Sequence, residues 1–246
     1  MNGEPSGSRN KSDIVLQSME SLRNFLKSVW GYPRIVAEIW TGRFPPSHPR
    51  EHHLIEKLLM TPLVLSRIFS LGNAKAFFGK SGGHVFMDLY VLLSGAFLTY
   101  ILFTPSHLGS FGVIVCVYRI ADIIFYRLYF MLVKSQAEPW NSDVLRRSLL
   151  IVVLNFCETV IGYAVLYLTV GRIVGTTPAT QLSLQPIDAL YYSMVTAITL
   201  GNGDYIPGDT FSRILVITQL CGSVLFLIFL IPALVSLFSD QKPQKS

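Results

Sequence analysis

The stretch TAITLGNGDYIP, residues 196–207, decides how this chain reads. It is short, polar and glycine-rich, contains no Cys, His or Lys, and lies between two long apolar runs. Such a segment is either an ordinary turn between helices or one whose backbone is the working group. The residues before it narrow the choice. Pro186 follows SLQ, and IDALYYSMVTAI then reads as a helix with proline at its first position. From Pro186 to Ile198 such a helix is about 20 Å long, too short to cross a hydrocarbon core of about 30 Å.

The rest of the chain supplies the membrane. Only 14% of the 246 residues are charged and 51% are hydrophobic, with a mean hydropathy of +0.47. A soluble domain carries about 25% charge, so the chain reads as an all-α protein that crosses a bilayer several times. Four spans are expected, at Val85–Thr104, His107–Val133, Ser148–Val170 and Phe211–Phe238. The link TPSHLG makes the first two an antiparallel hairpin. No compact apolar stretch with a small-residue cleavage site occurs in the first 30 residues, which argues against a removable leader. Cys116, Cys157 and Cys221 all fall in apolar runs and read as small apolar fillers rather than disulfide partners.

The net charge of +5 raises nucleic acid as a partner, but its distribution points to topology instead. Residues 1–82 hold 11 of the 20 basic residues; the link KSQAEPWNSDVLRR and the tail hold more, whereas only Arg172 and Arg213 flank the opposite ends. With four spans the three basic segments share one side, so both termini are expected to be cytoplasmic. The polar start, MNGEPSGSRNKS, reads as unstructured. A helix from Ser12–Asp13 to Trp30 is expected to stop at GYP. Its Val15, Met19, Leu22, Leu26 and Val29 suit either a short seam or a membrane-surface helix. Leu54–Leu71 is placed at the interface, with a fifth span as the alternative.

Two motifs fail. FFGKSGGH contains Gly-Lys-Ser, but the glycine that a phosphate-binding loop needs five positions before Gly79 is Ala74. His48, His52 and His53 in HPREHH lack a partner cluster and read as a solvated loop rather than a metal site. No paired acid–base or nucleophile constellation appears in any span, so an enzyme is not expected.

The short helix must therefore enter from the outer face and return to it. A non-helical strand at membrane depth is tolerated only when protein buries it or it lines water. Gly201 and Gly203 permit the positive backbone angles that let successive carbonyls face one way. A ladder of carbonyls at a helix C-terminus is a cation site.

At this point TAITLGNGD after ALYYSMV resembles the pore helix and selectivity filter of the tetrameric potassium channels, whose signature is T-x-G-Tyr/Phe-G-D. Thr199, Leu200, Gly201, Gly203 and Asp204 occupy matching positions, and Tyr191 and Tyr192 stand where that family carries its pore-helix aromatics. Gly222 matches its inner-helix hinge. The resemblance spans about residues 150–238. It implies a homotetramer in the bilayer, without a cofactor beyond permeant K+. Ions would be held by the carbonyls of Thr199, Leu200, Gly201, Asn202 and Gly203 and by the Thr199 hydroxyl. Thr196 would support the filter, and Asp204 and Asp209 would make the outer mouth negative. The implied organisation is a cytoplasmic region over 1–82, open to a regulatory partner, then a transmembrane hairpin over 83–135. A pore domain over 147–238 and a tail over 239–246 follow, in a cell-membrane protein. Asn202 departs from the family's aromatic, so a non-selective cation pore, or a non-conducting channel subunit, is the alternative.

Pro232 frees the carbonyl of Ile228 and would kink the fourth span, beside the gate or as a tolerated membrane proline. Arg119, Asp122 and Arg127 in the second span each cost about 2.5–3.5 kcal/mol at mid-membrane if unpaired. Arg119 and Asp122 share a face at i, i+3, and Glu158 lies at nearly the depth of Arg119. A structural cluster of Arg119, Asp122 and Glu158 is expected. Two arginines eight apart do not make a voltage sensor, which needs several at every third position.

Overall fold

The computed structural model describes residues 11–45, 52–70, 79–134, 142–176, 184–201 and 203–239. It resolves into two units, Met1–Leu89 and Tyr90–Ser246. Asn202, His48, Ala74 and the tail lie outside the described residues.

The first unit holds α1 (Lys11–Trp40), α2 (Leu54–Ser66) with a 3₁₀ turn over Arg67–Phe69, and the start of α3 (Gly79–Phe103). α1 corrects the expectation that GYP ends it, for it runs through Pro33 to Trp40. A proline within a helix costs about 3 kcal/mol through its missing N–H and its ring clash. Contacts beyond it hold the helix together. Arg34 pairs with Glu38 at 3.0 Å, Ile39 is buried, Trp40 Nε1 donates to Thr61 Oγ1 at 3.1 Å, and Lys57 Nζ donates to the Trp40 carbonyl at 3.3 Å. Packing on α2, invisible to a local reading, overrides the local stop. α2 itself has 13 residues, about 20 Å, which is short of a crossing. His52 is buried, with Nδ1 at 3.0 Å from Glu56 Oε2 and Nε2 at 2.9 Å from the Phe44 carbonyl. Both ring nitrogens serve the turn into α2.

The second unit continues α3 and adds α4 (Pro105–Tyr129), closed by a π-helical turn over Phe130–Lys134, and α5 (Ser142–Thr169). Strand β1 (Ile173–Gly175), α6 (Pro186–Ala197), strand β2 (Tyr205–Pro207) and α7 (Thr210–Ser239) follow. Among the described residues, three helices are long and apolar enough to cross a membrane, over Val85–Phe103, Leu149–Thr169 and Thr210–Ile228. α4 has 25 residues with a break at Gly109, φ 42°; its unbroken part from residue 110 onward matches them in length but not in apolarity, because Arg119, Asp122 and Arg127 interrupt it. That differs from the four apolar spans expected: a crossing by α4 depends on how those charges are compensated.

α5 is the central element and packs against α4, α6 and α7. Its buried run Tyr163–Tyr167 meets Leu98, Ile101 and Leu102 of α3, Cys116 and Ile120 of α4, and Ala189 and Tyr192 of α6. In lipid, helices gain little from hiding apolar surface, and association rests on close approach and interhelical hydrogen bonds. Gly162 provides the first: a Cβ there would lie 3.1 Å from Ile120, so α4 and α5 meet backbone to side chain. Tyr90 and Arg119, about equally far from the turn at Thr104, touch ring to guanidinium at 4.6 Å, which sets α3 and α4 antiparallel.

α7 begins at a cap. Asp209 Oδ1 accepts from the Ser212 N–H at 2.8 Å, and Ser212 Oγ accepts from the Arg172 N–H at 2.7 Å. Bonds from the Ser212 side chain and backbone hold the Asp209 carboxyl below the usual aspartate range. A carboxylate lowered on folding adds stability above its unfolded value of about 3.9 and loses it as pH falls through its folded value. Asp209→Ala is expected to melt below wild type at pH 7, with the gap closing below about pH 4. Asp209→Asn, which keeps a capping oxygen, should stay near wild type at pH 7. Melting temperature against pH checks both.

Candidate functional site

α6 is built to end abruptly. It opens on Gln185, whose N–H donates to Asp188 Oδ2 at 3.2 Å, and on Pro186 at the first turn. At its other end the Leu200 N–H bonds the Val195 carbonyl at 3.0 Å and the Thr199 N–H bonds the Thr196 carbonyl at 3.1 Å. These are the paired bonds of a Schellman stop, which needs a left-handed residue just after the cap. That residue is Thr199, at φ 58°, where glycine is usual and a β-branched side chain is strained.

The left-handed angle then recurs at every second residue, with Gly201 at φ 61° and Gly203 at φ 77°. Alternating right- and left-handed residues is the geometry that gathers backbone N–H groups into nests. The same alternation turns successive carbonyls to one side. In the single chain Thr199, Leu200, Gly201 and Gly203 are all exposed. The Thr199 hydroxyl donates to the Ile198 carbonyl at 2.7 Å. Gly203 differs from the others, because its carbonyl accepts from Thr176 Oγ1 at 2.9 Å.

That last bond belongs to a clamp absent from the sequence reading. β1 and β2 pair antiparallel, Gly175 opposite Tyr205 and Ile173 opposite Pro207. Thr176 donates its N–H to the Asp204 carbonyl at 2.9 Å and its hydroxyl to the carbonyls of Gly203 and Asp204. The outgoing strand is thereby fixed to the segment leaving α5. Tyr191 adds a second tie, its hydroxyl donating to Asp204 Oδ2 at 3.1 Å and its ring meeting Tyr205 edge-on at 6.4 Å. Asp204 is thus braced through both its backbone and its carboxylate, and Asp209 caps α7.

Behind the strand, Tyr192 is buried and meets Tyr167 edge-on at 4.9 Å, while the Thr196 hydroxyl bonds the Tyr192 phenol. Tyr167 leads into a polar network in the apolar core. Its hydroxyl donates to Gln219 Oε1 at 2.7 Å. Gln219 Nε2 donates to the Ser193 carbonyl and hydroxyl, both at 2.9 Å, and Ser193 Oγ donates to the Val160 carbonyl at 2.7 Å. One buried amide therefore ties α5, α6 and α7 together with its carbonyl and amino groups both engaged. Gln219→Leu strands the Tyr167 hydroxyl, an orphan costing about 1–3 kcal/mol. A fall in melting temperature of several degrees is expected, against little change for Ile217→Val on the exposed side of α7. The sequence signal was a lone Gln inside an apolar run.

α7 runs without a break through Gly222 and Pro232. Gly222 is buried, and a Cβ there would rest in ordinary contact, 3.5 Å from Ile124 of α4, so the approach of α4 does not itself require glycine. Away from the glycine-rich strand, Arg119 Nη2 meets Glu158 Oε2 at 2.5 Å and Nη1 meets Asp122 Oδ2 at 3.2 Å. Ser94 Oγ donates to the other Glu158 oxygen. The three charges stand together, as depth and helical spacing suggested. Arg127 stands apart, buried, with Nε and Nη2 lacking hydrogen-bond partners among the described residues, and its guanidinium 6.0 Å from the Phe226 ring.

Residues 150–240 match a protein-family model described as "Ion channel". No curated protein and no solved structure matches the chain. The matched segment runs from α5 through the strand that follows α6 to the end of α7, and is similar to an ion-channel domain.

Proposed function

We propose that four copies of the chain surround one axis and conduct potassium passively through the carbonyls of Thr199, Leu200, Gly201 and Asn202. The observation that carries this reading is the alternation of positive φ at Thr199, Gly201 and Gly203, directly after a helix too short to span. A strand of that kind offers a row of oxygens in place of a cation's hydration shell, and the helix C-terminus adds negative charge behind it. One chain supplies one wall only. The exposed Leu200 and Gly201 need further copies to be enclosed, since bare backbone does not face lipid. On this reading residues 1–82 and the tail are cytoplasmic, in the cell membrane.

Asn202 favours a second reading. A short polar side chain cannot brace the strand as an aromatic ring would. A space of about 430 Å³ lies between α6, the strand and α7, lined by Tyr191, Tyr192, Thr196 and Tyr205 among others. The test is the reversal potential of purified protein in a planar bilayer with K+ on one side and Na+ on the other. A value near the potassium equilibrium potential supports selectivity. A value near zero with clear cation current makes the pore non-selective, and no current makes the chain a subunit of another channel. Thr176→Val, which removes the hydroxyl from the clamp, is expected to move the reversal potential toward zero, and Thr176→Ser to restore it.

A further inference from the structure

α2 has an apolar face that none of the described residues of its unit covers. At 3.6 residues per turn, Leu54, Ile55, Leu58, Leu59, Pro62 and Leu65 share one continuous side. The five aliphatic residues among them are between 39% and 71% exposed. Met60, Leu63 and Val64, on the opposite side, are buried, and α2 packs on α1. The helix is therefore apolar on two sides: one is used in folding the unit and one is left outward. Soluble surfaces seldom leave so continuous a stripe uncovered.

We propose that this outward face of α2 lies in the headgroup–acyl boundary of the bilayer that α3 enters. Three observations choose lipid as the occupant. The chain from Ser70 to Gly79 reaches at most about 30 Å, so α2 is tethered close to the helix whose apolar span starts at Val85. Arg23, Lys27, Arg34 and Arg43 are exposed in α1 and the turn after it, against Glu20 as the exposed acid there among the described residues. That balance suits an anionic leaflet. Trp30 and Trp40 are also exposed, and tryptophan concentrates at the membrane interface. The stripe itself is wholly aliphatic apart from Pro62, with no aromatic or arginine anchor of the kind that dominates protein interfaces. A fluid acyl layer needs none. The helix is parallel to the surface and does not cross it, since 13 residues fall short of a span.

The test uses the full chain in phosphatidylcholine–phosphatidylglycerol vesicles. In a background of Trp30→Phe, Trp40→Phe and Trp140→Phe, single reporters are placed by Ile55→Trp and Leu58→Trp, with N-acetyltryptophanamide free in solution as the fully hydrated reference. Dibrominated acyl chains are expected to at least halve emission at 55 and 58, and acrylamide to quench these positions severalfold less than the free amide. Acrylamide quenching close to that of the free amide would overturn the proposal. So would protection from both quenchers, because a second copy or a regulatory protein would then be the cover. Trp40 bonds α2 through Thr61, so unsubstituted protein is also labelled with a diazirine-bearing phosphatidylcholine and mapped by mass spectrometry. Adducts on residues 54–65 support the placement; labelling of 85–103 without them refutes it.

Discussion

Gly201→Ala is expected to abolish cation current while leaving the chain folded and assembled. Within one protomer a Cβ on Gly201 would meet no atom within 4 Å, so the substitution creates no clash inside the chain. What it opposes is the backbone angle, φ 61°. A left-handed angle costs an L-residue with a side chain roughly 1–2 kcal/mol. Four copies around one axis would raise that to about 4–8 kcal/mol for the assembled filter. At about 1.4 kcal/mol per tenfold, the conducting arrangement becomes about a thousandfold rarer or worse. The carbonyl then turns out of the row that its neighbours form. Planar-bilayer conductance alongside assembly state in detergent checks this. Unchanged current would mean that the alternating angles are not those of the conducting pore, and the proposed ion path would fall with them.

The same residues show what a sequence discloses and what it hides. Pro186 and the two glycines are legible because each acts through its own backbone, whatever surrounds it. The short helix follows from a count of residues against bilayer thickness. The pairing of Arg119 with Glu158 is also legible, because unpaired charge in lipid is costly enough to demand a partner at the same depth. Thr176 carries no such mark. Its hydroxyl and N–H matter only because β1 lies beside a strand almost thirty residues further on, and a lone Thr has no pattern to announce that. Asp209 reads in the sequence only as a charge, and its second role, capping α7 through Ser212, shows once the start of that helix is placed. Pro33 misleads in the opposite direction: the local rule is sound, but Trp40 and Ile39 anchor the turns beyond it. Local chemistry is readable wherever one residue decides the outcome, and fails where a distant contact does.

Arg119→Leu is expected to be the most destabilising single change in the second unit. Arg119 and Glu158 are both buried, and removing one member of such a pair leaves an uncompensated charge, which costs about 3–5 kcal/mol. Arg119 also stacks on Tyr90 and spans two carboxylates with its two terminal nitrogens. Arg119→Lys should therefore recover only part of the loss, because a single ammonium lacks the planar fork. Glu158→Leu should cost less than Arg119→Leu, since Asp122 stays at i, i+3 to hold the guanidinium. The decisive comparison is the double variant. If the cost arises from a stranded charge, Arg119→Leu with Glu158→Leu will be milder than Arg119→Leu alone, giving a coupling energy of about 2 kcal/mol or more. Unfolding of reconstituted protein by graded detergent measures all four forms. Simple additivity would mean that the two residues act separately. The pair would then contribute bulk to the seam between α4 and α5, and a crossing by α4 would need another source of compensation for its charge.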